Sequence, residues 1–397
     1  MRVAIISFGH TGSSLPLAKA LAKNKCEVDF YFDAHYGKIN YAEGTDLRFK
    51  KARHLIGDIP PTACPLLKEY VKLPTLRLKY VNTLGEAKSL QLLTGFFYHI
   101  RRLQIHRICN CLNQLFYDAI YLVGRYTETE DIILYRKWIN TRVIVGLHEV
   151  CNHSKPDFKH PSRVLKSLFD SATPIVVYSN NSYNDILMYK ECAEDTVHFI
   201  PFGTFDTFKI YEEPSSLVLP ESYYLYFGVI NAYKGIPILA KAIAQITGLN
   251  CSFVIAGAGN DPSLELLKKD SRVLLVNRFL SNQEIAHLVS NAKAVVCPYL
   301  TMSQSGIPQT VYAFGTPVIA SDLEGFKEVV VPGENGLLFK SGDSNDLAQT
   351  IVKLENDKKL YAKIKRGANS FSQLLPNYDW NNIANQYIEL FKHNKNK

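Results

Sequence analysis

The chain has 397 residues, 47% hydrophobic and 21% charged, with 45 Lys+Arg against 37 Asp+Glu for a formal net charge of +8. A single core stops growing below ~250–300 residues, so two domains are the default, and the composition excludes a disordered, fibrous or low-complexity chain. The charge either suits acidic partners (nucleotides, pyrophosphates, an anionic membrane surface or a nucleic acid) or serves solubility alone.

The eight cysteines include no CxxC pair and no thiolate cluster with zinc spacing, which reads as mostly buried, reduced thiols of a cytosolic protein. The opening MRVAIISFG lacks a signal-peptide pattern, and no run reaches the ~20 apolar residues of a membrane span. The expectation is a cytoplasmic chain that does not cross a bilayer.

In chain order, residues 3–8 (VAIISF) predict a strand, GHTGSS a turn, 15–24 a helix and 27–32 a second strand. That is the opening of a βαβ unit whose strands are buried on both faces. Residues 34–74 are less regular, broken by Pro60, Pro61, Pro65 and Pro74. From 92 to 123 apolar residues fall at helical intervals, predicting one long helix or two consecutive ones. Strands are predicted over 131–134, 143–147, 175–178 and 196–200. Residues 209–222, rich in Glu, Pro and Ser, read as an interdomain linker.

A second α/β series follows, with strands over 224–228, 252–256, 273–276, 294–297, 317–320 and 336–339. Helices fit over 236–246, 282–290, 307–314, 323–330 and 344–356, and an amphipathic terminal helix over 380–393. The predicted organisation is a domain over 1–208, a linker over 209–222, a domain over 223–376 and a terminal segment over 377–397.

Ligands in open α/β sheets bind beyond the carboxyl ends of the strands, and the informative residues follow strands here. The first loop, Gly9 to Ser14, includes Gly12; it is not GxGxxG and reads either as a ligand loop or as a plain tight turn. The second, GVINAYKG from Gly228 to Gly235, sets Lys234 between a strand end and a helix. There an ammonium can neutralise a diphosphate, in binding and as charge builds on a departing nucleotide; the alternative is a solvated lysine. The third, GAG, sets Gly257 and Gly259 after a strand, for a ligand or for a turn. The fourth, 298–315, brings Ser303, Gln304, Ser305, Gly306 and Ile307 to a helix start, where amides and hydroxyls hold phosphate or sugar oxygens or simply cap the helix. The fifth is His148-Glu149 after a strand; no HExxH and no third ligand at zinc spacing accompany it. Finally, Phe96, Phe97, Tyr98, Arg101, Arg102, His106 and Arg107 interleave aromatic and cationic character. They suit an anionic bilayer or a lipid-linked acceptor, or form a core-facing helix with a basic edge; no nucleic-acid module accompanies them.

At these loops the chain resembles the retaining GT-B glycosyltransferases of family 4, the broad group of bacterial polysaccharide and lipid-linked oligosaccharide enzymes. The resemblance is best from Tyr224 to Phe339, in YFGVINAYKG, FVIAGAG, NRFLSNQEIAHLVSNAKAVVCPY and SQSGIPQTVYAFGTPVIASDLEGFKEVVVPGENGLLF. It is looser in GHTGSSLPLAKALAKNKCEV, GLHEV, VHFIPFG and YDWNNIANQYIELF. It implies an α/β GT-B fold: two facing Rossmann-like domains, with a C-terminal helix crossing back to the N-domain. By the same likeness Lys234 holds the donor diphosphate beside Gly228, Gly257 and Gly259. Ser305, Gly306, Ile307 and Thr310 lie by the donor, His148 reaches towards the reacting sugar, and Gly12 lies near the phosphates. Two family glutamates are replaced by Met302 and Thr310, and a frequent arginine by Val229.

The resemblance implies an enzyme moving a hexose-type sugar, with retention, from a UDP-, GDP- or similar nucleotide sugar to a polysaccharide precursor or lipid-linked acceptor. No Asp-x-Asp site is evident, so no metal or other cofactor is expected. A peripheral position on the inner face of the cytoplasmic membrane is a further expectation. The alternatives are a nucleotide-sugar epimerase, with His148 and Glu149 as acid and base, and a non-catalytic nucleotide-sugar-binding member. An NAD-dependent dehydrogenase, with Asp29 or Asp33 on the ribose, lacks the third fingerprint glycine.

Overall fold

The protein is described here as a computed structural model covering residues 1–8, 10–35, 38–39, 54–60, 62, 67–83, 94–124, 130–148, 150, 157–211, 216–302 and 305–392. It packs as two units, Met1–Gly203 together with Trp380–Lys397, and Thr204–Asp379. The divisions thus fall at 203/204 and 379/380, where the sequence reading drew them at 208 and 377. Residues 204–208 go with the second unit because Phe205 donates its amide to the Gln309 carbonyl at 3.1 Å and packs its ring on Gly306.

The first unit is built on strands β1 (Arg2–Phe8), β2 (Glu27–His35), β3 (Lys38–Ile39), β4 (Ile56–Asp58), β5 (Leu76–Thr83), β6 (Ala119–Gly124), β7 (Arg142–Leu147), β8 (Ile175–Val177) and β9 (Val197–Phe199). Their order is β4-β5-β2-β1-β6-β7-β8-β9, with β3 on β2. All pairs are parallel except β3 on β2 and β4 on β5. Parallel strands lie under helices on both faces, so VAIISF and IYLV read as unbroken apolar runs; Val3, Ala4, Ile5 and Ile6 are all fully buried.

Three expectations are corrected in this unit. The first helix is Thr11–Lys23, four residues earlier than read, because the His10 carbonyl accepts the Ser13 and Ser14 amides at 3.2 and 3.1 Å. Residues 92–123 are not helical throughout: the helix Thr94–Asn113 stops, Phe116 turns left-handed at φ 52°, and Ile120 and Val123 lie in β6. Their spacing matched a helix by coincidence, and burial between β1 and β7 decided for a strand. Residues 131–134 form a helical turn, Glu130–Leu134, instead of a strand; a short apolar run cannot distinguish the two.

The second unit carries β10 (Tyr223–Phe227), β11 (Ser252–Ala256), β12 (Val273–Val276), β13 (Ala294–Cys297), β14 (Val318–Ser321) and β15 (Gly336–Phe339). All are parallel, in the order β12-β11-β10-β13-β14-β15. This is the doubly wound 3-2-1-4-5-6 arrangement, with the switch point between β10 and β13. Alternate residues of β10 feed opposite cores: Tyr224 and Tyr226 with Phe253, Ile255 and Val296, and Tyr223, Leu225 and Phe227 with Val254, Ala256 and Val295. Helices follow each strand closely where read, among them Ile236–Gln245, Asn282–Asn291 and Ser344–Asn356; Lys358–Asn369 is a further one. Asn282–Asn291 is fixed by a capping box, Ser281 accepting the Glu284 amide at 3.1 Å and Glu284 the Ser281 amide at 2.9 Å.

The C-terminal helix Trp380–Lys392 belongs to the first unit and buries Ile383, Ala384, Tyr387, Leu390 and Phe391 against it. Trp380 packs on Gly203, where a Cβ would come within 2.6 Å of its ring.

Candidate functional site

In the second unit the carboxyl ends of β10 and β13 are drawn together by glycines. Gly228, at φ 115°, ends β10 and donates its amide to the Ala256 carbonyl at 3.0 Å. Gly257 and Gly259, at φ 149° and 154°, let the loop after β11 run against the loop after β10: a Cβ would fall 1.9 Å from the Gly228 oxygen and 2.1 Å from the Ile230 oxygen respectively. Close approach of two backbones is therefore what these two glycines serve directly. Gly235, at φ 70°, performs the same service against the Pro298 carbonyl after β13, where a Cβ would sit 1.7 Å away.

Between these pinned loops a short 3-10 turn, Ala232–Lys234, presents Lys234. Its Nζ lies 5.2 Å from the centroid of the Tyr299 ring and directly over Gly228, where a Cβ would be 3.2 Å from it. The side chain is half-buried. Burial holds its ammonium below the usual lysine range, Cys297 acts in the other direction, and among the described residues no carboxylate contributes. A desolvated cation at a switch point is the arrangement that attracts a phosphate.

The helix Ile307–Ala313 brings the Ile307 side chain within 3.7 Å of a Cβ at Gly228. Gly228, Lys234, Tyr299 and Ile307 therefore converge. Ser305 accepts the Ile307 amide at 3.3 Å and lies beside the Tyr299 hydroxyl. Gly306 faces Phe205, since a Cβ would meet that ring at 2.8 Å. The Thr310 hydroxyl is turned into its own helix, donating to the Gly306 carbonyl at 3.0 Å, and the residue is 5% exposed. Ser303 and Gln304 lie outside the described residues.

In the first unit His148 follows β7 and His10 follows β1, straddling β6. Their imidazoles stack with centroids 3.4 Å apart and planes 12° from parallel. His148 also lies 5.1 Å from the near-parallel Phe202 ring and 4.7 Å from Tyr178. Below them runs a chain of phenols: Tyr121 shares hydrogen bonds with Tyr178 at 2.7 Å and with Tyr387 of the C-terminal helix at 2.9 Å. Gly146 on β7 makes room for it, a Cβ there falling 2.0 Å from the Tyr178 oxygen. A small cavity lies alongside, lined by Ser13, Ser14, Tyr121, Tyr178, Phe202 and Trp380 among others.

Gly12 sits in the first turn of the helix Thr11–Lys23 and not in an open loop. Ser13 and Ser14 spend their hydroxyls on the His10 carbonyl at 3.0 and 2.8 Å. Gly9 and Glu149 lie outside the described residues, so the acid–base pair imagined for an epimerase is described only at His148. His10, Tyr178, Phe202 and Tyr299 were not singled out from the sequence. They come from segments far apart in the chain, and only the fold brings them to the site. Asp29 is not a ribose acid: it is fully buried within β2, bound by Arg2 at 3.0 Å, Arg77 at 2.5 Å and Tyr117 at 2.5 Å. Among the described residues no group of three or more His, Cys, Asp or Glu is placed to hold a metal ion, and no helix is long and apolar enough to cross a membrane.

Residues 221–357 match the family model described as glycosyl transferases group 1. Alpha-maltose-1-phosphate synthase of Mycolicibacterium smegmatis is 24% identical over 257 residues, 58% of this chain and 66% of that protein. Phosphatidyl-myo-inositol mannosyltransferase of Mycobacterium leprae is 30% identical over 169 residues, 40% of this chain and 43% of that protein. The chain thus matches between 43% and 66% of the length of these two relatives. The fold extends further: HepE of Anabaena, solved in complex with UDP, superposes with a TM-score of 0.61 over 98% of both chains at 17% identity. The chain thus has the GT-B fold, and within it residues 221–357 match the glycosyl transferases group 1 family model.

Proposed function

We propose that the protein transfers a hexose-type sugar from a nucleoside-diphosphate sugar, of the UDP or GDP kind, to a polysaccharide precursor or lipid-linked acceptor. The transfer retains the anomeric configuration and needs no divalent metal. The observation that carries this reading is Lys234, a half-buried ammonium on which no carboxylate of the described residues acts, at the switch point of a 3-2-1-4-5-6 sheet. The UDP held by HepE and the lipid named in the mannosyltransferase support the donor and acceptor classes.

In the transfer the bond from the sugar's anomeric carbon to the diphosphate oxygen breaks, and a bond from that carbon to the acceptor oxygen forms. The acceptor's proton passes to the departing phosphate. Negative charge grows on the diphosphate, where Lys234 offsets it. His148 addresses the sugar from the end of β7. An anionic membrane surface is the further partner in this reading, met by the basic face of the helix Thr94–Asn113.

The test is to incubate the protein, in EDTA, with a panel of UDP- and GDP-sugars and of glycan and lipid-linked acceptors, and to identify products by mass spectrometry. The expected result is nucleoside diphosphate released only when an acceptor is present, with a product one sugar heavier. Conversion of the donor to its epimer without acceptor would replace this reading with an epimerase. Donor binding without turnover across the panel would make the chain a binding protein. Activity abolished by EDTA and restored by Mg²⁺ or Mn²⁺ would overturn the metal-independent part.

A further inference from the structure

We propose that His10 is a positioning residue for His148, holding its ring through the 3.4 Å stack so that the ring edge meets the reacting sugar; this rests on the transferase reading above. His10 stands at the N-cap position of the first helix, yet its side chain makes no capping hydrogen bond. A residue there ordinarily uses its side chain to satisfy the helix amides. Here the backbone does the anchoring. The His10 carbonyl accepts four donors: the Ser13 and Ser14 amides at 3.2 and 3.1 Å, and the Ser13 and Ser14 hydroxyls at 3.0 and 2.8 Å. The Ser14 hydroxyl also meets that of Ser7, the buried penultimate residue of β1, at 2.7 Å. The backbone of His10 is thus tied both to its helix and to its strand, and its ring is a fixed plate rather than a loop side chain.

Around His148 the cradle is equally determined. Phe202 lies near-parallel at 5.1 Å, itself stacked on Tyr178 at 3.9 Å, and the Tyr178 hydroxyl is held by Tyr121 at 2.7 Å. Plates of this kind restrain rotation of the His148 ring and direct its edge. Pre-set orientation of a group that meets the reacting atoms is worth rate and not affinity, because it matters most when the geometry tightens at the transition state.

The experiment compares His10→Ala, which removes the plate, with His10→Phe, which keeps a planar ring of similar thickness but no nitrogen. His10→Ala is expected to lower kcat by about ten- to hundredfold while leaving the donor KM within about threefold. His10→Phe is expected to recover kcat to within about threefold of wild type. Equal loss in both variants, with both folded by thermal melting, would assign His10 a polar role and overturn the proposal; so would a His10→Ala enzyme within twofold of wild type. A second reading needs no donor. In wild-type protein the His148 ring-proton resonances should carry the ring-current shift of a stacked imidazole, lost in His10→Ala and kept in His10→Phe. Absence of that shift in the wild type would overturn the stack itself. Its presence in a protein that transfers no sugar would instead sink the transferase reading and, with it, the role assigned to the stack.

Discussion

Lys234 carries its charge where no carboxylate of the described residues compensates it. Burial lowers its proton affinity below that of the same lysine in the unfolded chain, so the native state binds protons less readily there. The penalty is in full force below the lowered folded value and disappears as pH rises past the ordinary lysine value of 10.5. At pH 7–8 the lysine therefore opposes folding, and Lys234→Met should leave Tm unchanged or slightly raised. Activity should move the other way. Removing one electrostatic contact to developing charge costs roughly 10²–10³ in rate, about 3–4 kcal/mol. Measuring kcat/KM and Tm on one preparation separates the two; a near wild-type kcat/KM, or a lowered Tm, would return Lys234 to a structural role. That the sequence places Lys234, Gly228 and His148 in segments following strands has a simple reason. Each follows a continuous apolar run, and in a parallel sheet the residue after such a run stands at the ligand-binding edge. His10 and Gly146 were not legible as support for His148. The meaning of each depends on a ring delivered by a distant strand or helix, and no local pattern records that.

At the scale of elements the same contrast holds between the two sheets. Strands β10 to β15 were read almost to the residue, because each is a short apolar run that stops at a turn-forming or polar residue. The strand β5, LRLKYVNT, went unread: it lies next to the sheet edge, alternates instead of running apolar, and follows a proline-rich stretch. It nevertheless fastens the base of the first sheet. Asp29 on β2 pairs in register with Arg77 on β5, and its carboxylate receives Arg77, Arg2 and Tyr117. Burial alone would push this carboxyl up, but the hydrogen bonds from Tyr117 and Arg77 and the charges of Arg77 and Lys79 outweigh it, and the net direction is down. A depressed carboxyl contributes stability above its unfolded value of 3.8 that is lost as pH falls through its folded value. Asp29→Asn should therefore destabilise at pH 7, by roughly 2–3 kcal/mol after allowing for the partial exposure of Arg77. The difference from wild type should shrink as pH is lowered below about 4. Urea denaturation of both proteins at pH 7, 5 and 3.5 tests this; a difference that stays constant with pH would show that Asp29 acts by packing and not by charge.

For the whole molecule the formal charge of +8 has a local expression in the helix Thr94–Asn113. Its sequence holds three arginines and two histidines and no acid. Ile105, Ile108, Cys109 and Leu112 are buried beneath it, while Arg102, His106 and Arg107 face solvent. Arg102 is steadied over the rings of Tyr135 and Trp138, at 5.9 and 5.7 Å. Two apolar side chains that the core does not use are exposed on this helix and just after it, Leu103 at 65% and Phe116 at 85%. Cations with protruding apolar groups suit an anionic lipid surface: the charges supply attraction at range, about 1 kcal/mol per Lys or Arg near the headgroups, and the apolar groups supply insertion. The two contributions respond differently to salt. Flotation with phosphatidylglycerol-containing vesicles should show binding that weakens as salt is raised from about 50 to 500 mM, since the screening length shortens from roughly 14 to 4 Å. Arg107→Gln should reduce that salt dependence. Phe116→Ser with Leu103→Ser should weaken binding by a similar factor at every salt concentration, because insertion is not screened. Equal binding to neutral phosphatidylcholine vesicles would overturn the electrostatic part, and an unchanged Phe116→Ser/Leu103→Ser protein would overturn insertion, leaving this face as solvated surface.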